Sequence, residues 1–420
     1  MEKIAKEIIH TMHHDYAGWK DKQGWDDPQA FLKGLKNPMT REEFVEHVQD
    51  YLLDFKDHHI RFLDTSVRRK EMKDPGFRVR RYEQRLVVTH VHSDSSIKRG
   101  TSFLSLGGYS VEELRQKHSR LLQENHAERE NWLPILLKYS FGEVMEQEGN
   151  LSTVQFKQVE RREYKASYNL EVLSNDSIKL TFTDFMNPDA MMKLVLENQE
   201  LLQQTENWII DVRENCGGSD SNFYPLLPFL MPKEGVELRD TEDKMLYHCT
   251  INNAKRALRE LEDDIKQIED EQALMFLKAY KDQWEKHQGN EFVEFNFDTF
   301  LPDTFVKGTD YPKKVVILTD SGCASSGESF VELCKKSNKV TVLGRPTMGV
   351  NDYANLVTQE WQEGFELMYA SSRLSRIDQG LGMTGKGIEP NVYVPWTPEH
   401  VERDVDLQKA VEYLRKEAGK

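Results

Sequence analysis

Apolar and polar positions change their period several times along the chain, and each change marks an element. Phe44, Val48, Tyr51, Leu52 and Phe55 recur at helical spacing, which lines them along one face of a helix. The opening stretch "MEKIAKEIIHTMHHDYAGWKDKQGW" reads the same way, as an amphipathic helix. Residues 1–75 are therefore predicted to form a mostly helical N-terminal region. From Arg80 the pattern turns to alternation in "QRLVVTHVH", the period of a half-buried strand. In "SDSSIKRGTSFLSLGGYSVEEL", Gly100, Gly107 and Gly108 punctuate short apolar strands and Ser110 opens a helix. Residues 76–120 are read as a compact β-rich module.

Strands resume in "LSTVQFKQVERREYKASYNLEVL" and "SIKLTFTDF", and a helix through "PDAMMKLVLENQELLQQT" leads into the apolar run "NWIIDV". A helix between two strands implies parallel pairing, hence an α/β core over residues 121–252 and 291–420. In such a core, functional loops belong at the carboxyl ends of the strands. Between its two parts, Leu258, Leu261, Ile265 and Ile268 step by three, four and three in a strongly charged background, a helix with an apolar seam. Residues 253–290 are read as a helical insertion, a lid or arm over the core, or else a surface helix packed on its seam. The fold class is α/β and multidomain.

Composition narrows the partners. The 420 residues carry a formal net charge of −15, which disfavours wrapping nucleic acid or lying on an anionic membrane. No apolar run reaches membrane-spanning length, and the N-terminus lacks the apolar stretch of a signal peptide. The four cysteines, Cys216, Cys249, Cys323 and Cys334, have neither metal-ligand spacing nor the density of a disulfide scaffold. A cytoplasmic protein with peptide, protein or small-molecule partners is expected, without cofactor or metal; self-association into a homo-oligomer stays open. His10, His13 and His14 fall within about one helical turn, but three histidines on a solvated helix are more often simply exposed. His90 and His92 share one side of a strand and carry the same plain reading.

Candidate chemistry gathers at two strand-to-turn junctions. In "WIIDVRENCGGSDSNFYPLL" an apolar strand ends in Asp211 and Arg213 and turns through Gly217 and Gly218. Paired glycines let backbone N–H groups face an oxyanion unobstructed; equally, they make a tight turn while Asp211 and Arg213 pair with neighbours. In "YPKKVVILTDSGCASSGESFVELCKKSNKVTVLGRPTMG" a strand over residues 314–319 meets a helix beginning near Ser325. Ser325 and Glu328 have the spacing of a capping box. A serine there also presents its hydroxyl at a helix N-terminus, where free N–H groups favour an anionic intermediate. The box alone leaves cap and nucleophile both open.

Together the two junctions resemble the tail-specific, or C-terminal processing, serine proteases, including the tricorn-like branch. Asp211, Arg213, Asn215, Gly217 and Gly218 match that family's D-x-R-x-N-x-G-G. "CASSGE" matches its S-A-S-A-S-E-like segment, "VLGRPTMG" its V-G-x-x-T-x-G turn, and "GKGIEPNVYVP" its closing segment. The resemblance spans about residues 45–400. It implies a ClpP/crotonase-like α/β core with residues 76–120 as a reduced PDZ-like module, and a peptide or unfolded protein as substrate. It puts the nucleophile on Ser325, and it implies an oxyanion hole from the N–H groups of Ser326 and of Gly217 or Gly218. Glu328 is assigned to the cap.

The departures from the family pattern select among its branches. Where tail-specific proteases carry a lysine base, this chain has Val350, which excludes a serine–lysine dyad. Tricorn-like relatives use a histidine instead, and "FKDHHIRFLD" places His59 in that register after Asp57, with His58 one position away. A neutral imidazole is the natural base for a serine; the plain alternative is a loop histidine making a structural hydrogen bond. The third member is unassigned, because the family glutamate falls near Thr384 and neither Asp378 nor Glu389 matches a family position. A serine peptidase and an inactive peptide- or ligand-binding protein on the same fold are both carried forward. A scaffold that recruits partners through its insertion is the third reading.

Overall fold

The computed structural model describes residues 1–67, 72–92, 95, 97–124, 126–145, 150–239, 242–268, 271–297 and 304–418. Asp94 and Ser96 of the PDZ-like pattern and Glu269 and Asp270 of the insertion lie outside the described residues. The chain gathers into two compact units, one from residues 1–66, 237–306 and 350–384, the other from residues 67–236, 307–349 and 385–420. Contact thus groups the early helices with the insertion and a late stretch of the chain, where the sequence suggested consecutive blocks.

In the first unit, strand Phe365–Leu374 organises an antiparallel sheet. It pairs with Tyr353–Trp361, Arg61–Asp64 and Met245–His248, and the last of these pairs with Phe292–Glu294. Gly364, at φ +80°, closes the hairpin that sets Trp361 opposite Phe365, a conformation that glycine adopts without a Cβ clash. Helix Arg41–Leu52 starts at a true capping box: Thr40 Oγ1 accepts the Glu43 N–H at 3.1 Å and the Thr40 N–H donates to Glu43 Oε2 at 2.9 Å. Its predicted stripe, Phe44, Val48, Tyr51 and Leu52, is buried. The helical reading of residues 1–75 stops short at strand Arg61–Asp64, whose four residues are too few to register as a period.

The insertion is two helices, Ile251–Gln267 and Glu271–His287. They bury Ala254, Ala257, Leu261 and Trp284 in the same core as Phe44, Phe62 and Tyr369, so they are structural members of their unit. The predicted seam holds at Leu261, while Ile268 is 37% exposed. Two alanines one turn apart turn the buried face away from the leucine–isoleucine line.

The second unit holds two larger sheets. One is antiparallel, in the order Phe77–Tyr82, Arg85–Val91, Ser102–Phe103, Phe141–Met145 and Leu151–Gln155. Helix Val111–Lys117 follows Ser110, which caps it with Glu113, and the core is built on Phe77, Phe103 and Trp132. Its last two strands come from beyond residue 120, because antiparallel partners need not be near in sequence.

The other sheet runs Tyr168–Ser174, Ser177–Phe182, Asn207–Asp211, Lys314–Thr319, Val340–Gly344 and Val392–Tyr393. Its first pair is antiparallel and the rest are parallel. Helices Pro188–Glu197 and Ser326–Cys334 make crossovers between parallel strands, as parallel pairing demands. Asn207–Asp211 and Lys314–Thr319 are buried along nearly their whole length, which is why they read as unbroken apolar runs. Asp211 lies opposite Leu318, so both candidate junctions emerge at the same carboxyl edge.

Candidate active site

Strand Lys314–Thr319 ends in a turn of small residues, and Ser325 is the residue before helix Ser326–Cys334. Its backbone sits at φ 53°, ψ −125°, and its side chain makes no capping bond to the helix. A non-glycine residue held at positive φ on a sharp strand-to-helix turn is strained by about 1–3 kcal/mol. This geometry lifts the hydroxyl off the helix end. The capping-box expectation is therefore corrected: Ser325 meets the helix through its main chain, the Glu328 and Ser329 N–H groups donating to Ser325 O at 2.7 and 3.1 Å.

Asn215 binds the two junctions together. Fully buried, it donates through Nδ2 to Phe182 O at 3.1 Å and accepts the Gly217 N–H on Oδ1 at 3.0 Å. Its main-chain oxygen accepts the Ala324 N–H at 2.8 Å. A Cβ built on Gly217, at φ +94°, would stand 2.7 Å from Ser325 Cβ and 3.2 Å from Ser325 Oγ, so only glycine fits beside the serine. The bond to Asn215 also commits the Gly217 N–H, which removes Gly217 from the expected oxyanion donors. The Gly218 and Ser326 N–H groups meet no acceptor among the described residues. Asp220, just after the glycines, is a neighbour the motifs did not flag: burial pushes its carboxyl above the usual range against the pull of the Ser326 and Ser329 hydroxyls.

Glu328 takes a different part from the cap assigned to it. Its side chain is fully buried, and Oε1 accepts the Thr347 hydroxyl at 2.6 Å and the Gly349 N–H at 2.5 Å. The carboxylate thereby ties the T-x-G turn to the nucleophile's helix, and Arg129 holds the turn from outside through Thr347 O and Met348 O at 2.5 and 2.6 Å. Truncation would leave buried donors unmet. Glu328→Ala is expected to lower the unfolding free energy by about 2–4 kcal/mol, measured by urea denaturation; a loss under about 0.5 kcal/mol would contradict this role.

Asp211 and Arg213 pair with each other, as their plain reading held. Arg213 clasps Asp211 bidentately at 2.9 and 2.7 Å, then reaches Asp404 at 2.7 Å and Asp406 at 3.1 Å. Arg345, of the "VLGRPTMG" segment, adds a bidentate pair to Asp406 at 2.9 and 2.5 Å and lies 3.0 Å from Asp320, which also meets Arg80 at 2.9 Å. Asp406, at the start of helix Val405–Ala418, is fully buried. Between these guanidinium groups, the Asp320 and Asp406 carboxyls stay well below the usual carboxylate range despite the opposing effect of burial. Arg345 and Asp406 are contributors that the motif reading passed over, since neither stands out by spacing.

His59 belongs to the first unit. Its side chain is 14% exposed, its N–H donates to Asp57 Oδ1 at 2.9 Å, and its Nδ1 lies 3.6 Å from the same oxygen. Burial lowers the imidazole below its ordinary value, outweighing the opposing pull of Asp57, so the ring is neutral at pH 7. Val350 is an apolar side chain, 5% exposed. Of the other expected candidates, Asp378 is clasped by Arg373, Thr384 donates to Asp352, and Lys335 binds the main-chain oxygen of Glu389. His13 pairs with Asp26, and His14 Nδ1 lies 2.9 Å from His10 O. His90 is paired with Glu214 at 3.2 Å.

The profile of peptidase family S41 matches residues 178–394, just over half of the chain and both junctions. The chain belongs to that family. This S41 member is thus a peptidase with a multidomain α/β fold, and its substrate class is peptide or protein. Its fold is similar to that of mature CPAF, with a TM-score of 0.66 and 16% identity over 99% of this chain and 95% of that one. Mature CPAF complexed with lactacystin gives 0.65 and 15% over 99% and 96%. The photosystem II D1 C-terminal processing protease scores 0.43 at 12% identity, over 97% and 95%. No curated protein matches by sequence. No helix among the described residues of this S41 peptidase is long and apolar enough to cross a membrane.

Proposed function

We propose that this S41 peptidase hydrolyses peptide bonds through an acyl-enzyme, with Ser325 as nucleophile and His59 as general base. The observation that carries the reading is Ser325 itself, held at positive φ on the strand-to-helix turn beside a position that only glycine fits. In this mechanism Ser325 Oγ attacks the scissile carbonyl carbon while its proton passes to the imidazole. The oxyanion that forms is met by the N–H groups of Ser326 and Gly218, each such donor being worth about a hundredfold or more in rate. Collapse of the intermediate breaks the C–N bond, and the amine leaves with the proton from the imidazolium. Water, deprotonated by the same base, then releases the acyl group. The reading also keeps residues 76–120, with the two added strands, as a PDZ-like module.

The test is labelling of the full chain by a fluorophosphonate, comparing wild type with Ser325→Ala and His59→Ala. Wild type is expected to label and both variants are expected not to; lactacystin, found complexed with mature CPAF, is expected to block the wild-type reaction. A folded wild type that takes no label would favour the alternative that the replacement by Val350 raises, an inactive binding protein. Labelling that persists in His59→Ala would move the base elsewhere, with His58 the next variant to make.

A further inference from the structure

Lys22, Tyr16 and Asp57 meet in the interior of the first unit. Lys22 is 2% exposed and donates from Nζ to Tyr16 Oη at 2.7 Å. Tyr16 Oη in turn donates to Asp57 Oδ2 at 2.8 Å. The other oxygen of that carboxylate, Oδ1, already accepts the His59 main-chain N–H and lies 3.6 Å from His59 Nδ1. This ring nitrogen is buried and makes no hydrogen bond among the described residues. A buried imidazole nitrogen facing carboxylate oxygens is best carried as N–H, because a lone pair there would meet the oxygen lone pairs.

The interior is built to hold the carboxylate in one place. Asp57 is 1% exposed at its side chain, and the Lys22 ammonium stands 4.1 Å from the centre of the Tyr353 ring. Buried ions are costly without close partners, and here the cation reaches the anion through one hydroxyl. The groups facing His59 are Asp57, Arg61, Lys22 and the Tyr353 backbone; those facing Lys22 are Asp57, Asp352, Asp21 and Lys56. Burial draws Lys22 down to about 8, which leaves it cationic at pH 7.

We propose that Asp57 is the positioning residue for His59, accepting the Nδ1–H so that Nε2 carries the lone pair of the base, and that Tyr16 and Lys22 hold Asp57 in that role. The proposal rests on His59 being the base for Ser325. On proton transfer from Ser325 the ring becomes an imidazolium, and Asp57 stays ionised beside it. Sequence order had left this place in the catalytic set empty, and Asp57 fills it from two residues away through an Asx-type turn.

The experiment joins a spectroscopic readout to kinetics on the full chain. Nitrogen-15 NMR of labelled histidines at pH 7.5 is expected to show His59 as the Nδ1–H tautomer. Asp57→Asn is expected to lower kcat by about 10³–10⁴-fold with KM changed less than about threefold. Tyr16→Phe, the milder change, strips one donor from Asp57 and makes it a stronger partner for the imidazolium. It is expected to move the acid limb of kcat/KM to higher pH by about half a unit, and Lys22→Met is expected to move it the same way.

An Nε2–H tautomer would overturn the proposal. So would an Asp57→Asn enzyme within about threefold of wild-type kcat. If Asp57→Asn does not fold, an unmoved acid limb in Tyr16→Phe overturns it instead. A wild type that takes no fluorophosphonate label removes the parent reading and this proposal with it, whereas a labelled wild type with the Nε2–H tautomer overturns this proposal alone.

Discussion

Ser325→Ala is expected to lower kcat/KM for peptide hydrolysis by about 10⁴-fold or more, and Ser325→Gly to be equally inactive but the more stable protein by about 1 kcal/mol. The first expectation follows from covalent catalysis: without Oγ no acyl-enzyme forms, and only substrate binding and the N–H donors remain to act. The second follows from the backbone. Alanine keeps a Cβ at φ 53°, ψ −125° and so keeps the strain, whereas glycine adopts that region freely. The gain is trimmed by the larger entropy that glycine loses on folding. Strain retained at the one residue that must present a hydroxyl is what a functional turn would show. Kinetics on a peptide substrate and urea denaturation of the two variants check both parts. Activity of Ser325→Ala above about a hundredth of wild type would sink the nucleophile assignment, and a glycine variant no more stable than the alanine one would sink the strain argument.

Asp406→Ala carries the largest expected cost in stability, about 3–5 kcal/mol. The aspartate is fully buried and faces two guanidinium groups, bidentately from Arg345 and singly from Arg213, with His400 Nε2 3.2 Å away. Removing the anion leaves Arg345, itself 2% exposed, with Asp320 as its remaining carboxylate. The same cluster sets an acid limit. Asp320 and Asp406 have folded-state values below the ordinary carboxylate value, so the unfolded chain binds protons more readily than the folded one. Their contribution is fully present above about pH 4 and is lost as the pH falls through the depressed folded values. Denaturation midpoints measured from pH 7 down to pH 2 should hold steady and then drop below about pH 4, with a shallower drop in Asp406→Ala. A variant within about 1 kcal/mol of wild type would show that the cluster is not what holds helix Val405–Ala418 to the sheet.

The elements and the chemistry of this protein were written in local patterns. Buried parallel strands such as Asn207–Asp211 and Lys314–Thr319 declare themselves as apolar runs, because both faces are covered. Helices Arg41–Leu52 and Val111–Lys117 declare their faces by period and their starts by Thr40 and Ser110. The D-x-R-x-N-x-G-G and C-A-S-S-G-E segments were legible for the same reason: each packs its requirements into a few consecutive residues. Ser325, Asn215, Gly217 and Gly218 could be named before any coordinates were known.

What tertiary structure decided is who meets whom. Glu328 looked like a cap because Ser325 stands three residues before it, yet its partners are Thr347 and Gly349, about twenty residues on. Gly217 and Gly218 looked interchangeable until the Asn215 side chain claimed one N–H. The union of Arg213, Arg345, Asp320 and Asp406 joins segments nearly two hundred residues apart, and Lys22, Tyr16 and Asp57 meet across more than thirty. Period, turn chemistry and motif spacing are set by residues within a turn or two of one another, so the chain alone specifies them. A buried hydrogen bond or ion pair is set by which distant segments exclude water together, and that is decided only when the sheets and their covering helices close.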